Sequence, residues 1–179
     1  MRRSSIRSNG ESEDPMADTL EKPKKLDWAI VITILAIIGL TFVSLLFTLF
    51  PKCSKKRITL TNSKKKTIEV DAEIAKNFFT MSKGLMGRPL LLENTGMLFI
   101  FSNPGYHSFW MTWTQIPLEA IFFDEKGIVV DILQMEPNTS EKHISKSKAK
   151  YVFEVNPGFS EKNSILASKS RLDLACISI

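Results

Sequence analysis

A run of 23 residues without a charge, Trp28 to Phe50 (WAIVITILAIIGLTFVSLLFTLF), governs what this chain of 179 residues can become. As a helix it measures about 34 Å, against a hydrocarbon core of roughly 30 Å. A helix is the one single-segment form that satisfies its own backbone polar groups in lipid. The run is longer than the apolar core of a cleaved signal peptide and leads into Pro51-Lys52 without small residues spaced for cleavage. The prediction is one uncleaved transmembrane helix over 28–50, with Trp28 and Phe50 at its two interfaces.

The charges divide the rest. Residues 1–27 carry six Lys/Arg and six Asp/Glu and almost no large apolar side chain, which predicts a disordered polar tail. Residues 52–66 carry seven Lys/Arg and no acid, whereas 67–179 carry eleven against thirteen. The net charge of +5 is therefore a property of a juxtamembrane tether (51–66), and the remainder is slightly acidic. That distribution argues against a nucleic-acid partner, which requires a basic surface on the domain itself. Membrane lipid is the expected partner, with anionic head groups met by Lys52, Lys55, Lys56 and Arg57. A solvated tether is the alternative. The strip outweighs Lys22, Lys24 and Lys25 before the helix, so charge alone puts the domain in the cytoplasm, although long domains cross membranes largely regardless of charge. Cys53 follows Phe50-Pro51-Lys52, which is no lipid-attachment context, and Cys53 and Cys176 are most simply free thiols.

From Arg57 onward the pattern is one of short strands. Ile58–Thr61 and Thr67–Val70 flank Asn62-Ser63-Lys64 as a hairpin. Asp71 is placed to cap a helix running through Phe79, with Ile74 and Phe78 on one face. GLMGRP (84–89) reads as a helix end and turn. Met97–Phe101 is a strand, Asn103-Pro104-Gly105 a turn, and Phe109–Thr114 and Leu118–Asp124 are strands apolar on both faces and hence central. Asp124-Glu125-Lys126-Gly127 is a type I turn returning through Ile128–Met135. A polar loop (137–149), a strand at Tyr151–Val155, a turn at Asn156-Pro157-Gly158, a short helix from Ser160 and a strand at Arg171–Ile179 follow. Seven or eight strands with one or two short helices make the domain at 57–179 α+β and mostly β, a small, partly open barrel-like sheet.

The ordered series GLMGRPLL, GMLFIF, FWMTWTQIPLE with IFFD, and YVFEVNPG resembles the uncharacterised family called domain of unknown function 192. Its members carry a GLM-x-R turn, a GMLFxF strand, an FWM strand running into IPLD, and a VLE-x-x-x-G segment. The resemblance covers about 57–179. It implies a small, mostly β domain, often exported or membrane-anchored, and no established activity. It also implies a domain on the extracytoplasmic side, against the local charge count. The chain departs from the pattern at Thr112 and Trp113, where a basic residue and Asn are usual, at Glu119, where Asp is usual, and at Ser168-Lys169, where a Gly-Asp pair falls. The first and third changes weaken any chemistry based on a polar cluster.

Glu119 is a carboxylate on an apolar face and so requires a partner. Arg88 is the cation expected to supply it through a bidentate pair, and a carboxylate–backbone bond that fixes the fold is the other structural reading. A poised carboxylate in a pocket is the functional alternative. Glu154 shares a face with Val152 and reads as solvent-facing; the two carboxylates flanking a substrate is a second possibility. His107, in a loop before the aromatic strand, has no acid or metal-ligand spacing around it, nor has His143. No metal or cofactor is expected. Trp110, Trp113, Phe109 and Tyr106 are either core or the wall of a ligand site. The expectation is a binding or interaction module at a membrane surface, with a concave site near Arg88, His107, Trp110, Trp113 and Glu119. The alternatives are a hydrolase-like enzyme using Glu119 or His107, and a purely structural domain.

Overall fold

The computed structural model describes residues 28–49 and 54–177. The expected tail (1–27), Phe50, Lys52, Cys53 and the last two residues of the expected final strand lie outside them, as does any pairing of Cys53 with Cys176. The chain forms two units, an N-terminal helix and a β-rich domain.

Helix α1 (Trp28–Leu49) has neither acidic residues in its first turn nor basic ones in its last. It is long and apolar enough to cross a membrane. Two of its hydroxyls bond within the helix: Thr33 Oγ1 donates to the Ala29 carbonyl at 2.7 Å and Thr41 Oγ1 to that of Ile38 at 2.9 Å. Such internal bonding suits a medium that offers no partner.

In the domain, β1 (Ser54–Thr61) and β2 (Thr67–Ala75) form the expected hairpin, longer than its apolar kernel. The helix expected from Asp71 is absent, because Val70, Ala72 and Ile74 alternate inward and the strand period prevails. The helix starts later, as α2 (Phe78–Lys83). Asn77 accepts from the Thr80 amide at 2.9 Å in a reciprocal capping box. Ile74 and Phe78 share no face: Ile74 is buried and Phe78 exposed. After α2 the chain crosses over to β3 (Thr95–Gly105), parallel to β2. Pro104, which lacks an N–H, falls in an irregular stretch of β3 between Ile100 and Gly105 rather than in the expected turn.

Strands β5 (Leu118–Phe123), β6 (Val129–Met135) and β8 (Ala149–Val155) complete the core of the sheet. The order is β6-β5-β8-β3-β2-β1-β9, with β9 at Arg171–Leu172. A bridge between Ile128 and Arg171 brings the two edges together, so the sheet curls into a half-barrel. The expected strand at 171–179 stops at Leu172, where Asp173 caps a 3-10 turn (Leu174–Cys176) by accepting from the Ala175 amide at 3.0 Å.

Every strand of the sheet lends apolar residues to one face, the barrel interior, which includes Ile58, Val70, Leu98, Ile121, Phe123, Val129, Phe153 and Leu172. The opposite face of β3, β5, β6 and β8 buries Met97, Phe99, Leu118, Ala120, Phe122, Met135 and Val152 under Leu85, Phe109 and Met111. Gly96 makes the close approach of β3 to β8 possible: a Cβ there would stand 2.6 Å from the Phe153 ring.

The expected strand at 109–114 is the main departure. Only Ser108–Phe109 is extended, as β4, paired with β7 (His143–Ile144) in a separate ribbon. Thr114 N bonds the Met111 carbonyl at 3.0 Å, Gly87 N bonds that of Trp113 at 2.9 Å, and Trp113 takes a left-handed φ of 64°. Phe109 at the end of β4 and Met111 in the loop after it plug the outer core, so their apolar character needs no central strand.

Candidate functional site

A cavity of about 150 Å³ lies on the outer face of the sheet. An apolar cavity of this size holds a guest of roughly benzene dimensions. Its floor is Phe99 and Phe101 from β3 and Glu154 from β8. Its walls are Met81, Gly84 and Leu85 from the end of α2 and the turn after it, Phe109 from β4, and Trp110 and Thr114 from the loop after β4. Gly84 closes α2 with φ 48° and ψ −135°, a conformation open essentially to glycine alone. The aromatic rings meet edge to face, Phe99 on Phe109 at 5.1 Å and Phe101 on Phe109 at 6.3 Å between centroids.

Glu154 is the unusual group here. It is 5% exposed, and its cross-strand neighbours are Met97 and Ala120. Among the described residues no hydrogen bond or ion pair reaches its carboxyl. Burial alone pushes its pKa from the usual 4.5 to about 8. At neutral pH it is therefore mostly a protonated acid, able to donate or to accept. The buried Thr114 hydroxyl also borders the cavity. An apolar pocket with few polar groups, one of them strongly perturbed, is the usual form of a small-molecule site.

The sequence-derived candidates scatter around this cavity. Trp110, 48% exposed, lines it. His107 stands behind it, stacked on Phe101 with ring centroids 3.4 Å apart. Burial holds the imidazole pKa below its usual value, opposed by hydrogen bonding to the backbone of Ala149 and Asn103. The Nε2 atoms of His107 and His143 are both buried without a partner among the described residues. Trp113, 74% exposed, does not line the cavity.

Arg88 does not meet Glu119. It forms a bidentate pair with Glu73, at 2.7 and 2.6 Å, in an open groove with Lys55, Lys56, Arg57 and Asp71. The hydrogen bond from Arg88 lowers the Glu73 pKa, more than burial raises it. Glu119 is 0% exposed on the interior face. It accepts from Gln134 Nε2 at 2.6 Å and from the amides of Gly158 and Ser160 at 3.1 and 2.8 Å. Its partners are thus a neighbouring strand and the first turn of α3 (Phe159–Asn163), where Gly158 has no side chain with which to cap. Glu119 pairs with Val155 and Ala120 with Glu154, so the two carboxylates point to opposite faces of the sheet and cannot flank one substrate.

Glu154 is the residue that strand alternation misjudged. Its place beside Val152 on one face was legible, but that face is covered rather than solvated. The cover comes from α2 and the loop after β4, remote in sequence. No group of three or more His, Cys, Asp or Glu side chains among the described residues is placed to hold a metal ion.

All four motif segments contribute to the cavity: Gly84-Leu85-Met86, Phe99 with Phe101, Phe109-Trp110, and Glu154. A family model, DUF192, described as Uncharacterized ACR, matches residues 58–170. Two solved structures share the fold. One is of a candidate transcription regulator from Sinorhizobium meliloti 1021, 26% identical, with a TM-score of 0.66 over 69% of this chain and 95% of that one. The other is of a protein of unknown function from Novosphingobium aromaticivorans DSM 12444, also 26% identical, with a TM-score of 0.62 over 66% of this chain and 84% of that one. No curated protein matches the sequence.

Proposed function

For this chain, which belongs to the uncharacterised family DUF192, we propose a membrane-anchored binding module whose β domain takes a small, largely apolar ligand into the cavity beneath Trp110. The observation that carries the reading is Glu154: a carboxyl without a partner among the described residues, buried against the aromatic wall of that cavity. A ligand that bonds to that carboxyl supplies the partner the fold leaves out. In this reading α1 is the anchor, with the domain on the extracytoplasmic side. Lys52, Lys55, Lys56 and Arg57 meet anionic head groups, Arg57 less strongly because Asp71 already engages it at 3.2 Å.

An enzymatic reading has less support. Glu119 is spent on three hydrogen bonds inside the barrel, and His107 stands on the other side of the sheet. The regulatory role suggested for the Sinorhizobium protein does not extend to nucleic-acid binding here, because residues 67–179 are slightly acidic. The test is saturation-transfer NMR on the full chain in maltoside micelles, with 3,3-dimethylbutan-1-ol as probe. The wild type is expected to transfer saturation at least about fivefold more strongly than Trp110→Ala. Equal signals from the two proteins would overturn the reading.

A further inference from the structure

We propose that the cavity beneath Trp110 is a site for a small organic cation, an alkylammonium group held between the Glu154 carboxylate and the rings of Phe99, Phe101, Phe109 and Trp110. The inference rests on reading this cavity as a ligand site, and adds the charge and chemical class of the ligand. A carboxylate without a hydrogen-bond partner in a largely apolar site is unstable unless something neutralises it. In the empty domain a proton does so. An ammonium ion replaces the proton and adds attraction to the aromatic rings once the cation is desolvated. An anionic ligand would face the buried carboxyl without a compensating base. Four aromatic residues around one acid are more than a neutral hydrogen-bonding ligand calls for.

The surrounding charges permit this. β3 presents Met97 to Glu154 and β5 presents Ala120. Lys83 is the one other charged residue lining the cavity. It is exposed, and its charge helps lower the pKa of Glu73, so it stands at the rim. His107 lies behind Phe101, and burial lowers its pKa.

Binding then exchanges a proton for a cation, and affinity rises with pH until Glu154 is ionised in the empty protein. With the carboxyl titrating near pH 8, affinity rises roughly a hundredfold from pH 6 to 9, and about 0.9 proton is released per ligand at pH 7.

The test is calorimetric titration of the full chain, in nanodiscs of phosphatidylglycerol, with choline and with its neutral isostere 3,3-dimethylbutan-1-ol. The expected result is choline binding at least about tenfold tighter than the isostere at pH 8, with the stated pH dependence and proton release. Glu154→Gln is expected to abolish the preference and the pH dependence together. Choline no tighter than the isostere would overturn the cation assignment and leave the ligand cavity standing. Binding of neither would overturn both. Repeating the titration in phosphatidylcholine discs separates the sources: lost choline binding assigns the site to a lipid head group, and retained binding to a free ammonium compound.

Discussion

Replacing Glu154 by Gln removes an ionisation that the fold resists, and its consequence can be worked out. Burial raises the carboxyl from 4.5 to about 8 in the folded chain. The folded state therefore holds its proton more tightly than the unfolded state. The stability this confers is fully present below the unfolded value and drains away as pH rises through the folded one. One pKa unit corresponds to about 1.4 kcal/mol, so the loss reaches about 3 kcal/mol at pH 7 and nears a limit of about 5 kcal/mol at pH 9. Gln has the same shape and does not titrate. The variant's advantage over the wild type should thus grow by about 3 to 5 kcal/mol between pH 4 and 9, and water entering around the ionised group brings it toward the lower figure. The assay is guanidinium unfolding of both full-length proteins in maltoside at pH 4, 7 and 9, followed by the circular dichroism of the β domain. The difference between variants cancels every other titrating group that the two share. A stability difference that does not change with pH would refute the reasoning, and so would a variant that loses ground as pH rises.

Two further outcomes follow from the charged groups outside the cavity. Glu119→Gln puts an amide where a carboxylate accepts three N–H groups, so one donor must face another. The expected cost is about 2–4 kcal/mol in urea unfolding, and an unchanged midpoint would show that those bonds do not hold α3 to the sheet. Arg88→Ala breaks the two-pronged pair with the half-buried Glu73, at a cost of about 1–2 kcal/mol at pH 7. Because Arg88 lowers the Glu73 pKa, the pair's contribution is present above the unfolded carboxylate range and is lost as pH falls through the lowered value. The two proteins should therefore converge in acid; a gap that persists there would assign the loss to packing.

The sequence was most informative where the physics is local. The α1 helix, the hairpin of β1 and β2 and the turn at Asp124–Gly127 follow from charge-free length, alternation and turn chemistry. Asp124 Oδ1 accepts from the amides of Lys126 and Ile128, as a turn-opening Asp should. The expectation that β5 is apolar on both faces also holds, with Leu118, Ala120 and Phe122 in one core and Ile121 and Phe123 in the other. The sequence misled where a local preference was outvoted. Asp71 has the character of a cap, yet cross-strand pairing with Arg57 and the burial of its neighbours keep it in β2. Trp110–Thr114 has strand composition, yet its backbone bonds go to Gly87 and Asn138 rather than to a ladder.

The site shows the same division more sharply. That Glu119 needed a partner was legible, because a carboxylate among apolar residues is costly; that the partners would be Gln134 and two amides of the α3 turn was not, since they come from distant parts of the chain. Glu154 is the converse. Its residue type and its face were both readable, but whether that face meets water depends on where α2 and the loop after β4 come to rest. The sequence by itself determined a long apolar helix, a basic strip, a slightly acidic β domain and the alternation of its strands, all of which depend on neighbours a few residues apart. Tertiary structure alone decided which face is covered, and so made Glu154 a buried acid in an aromatic pocket, because desolvation is a property of what surrounds a group in space.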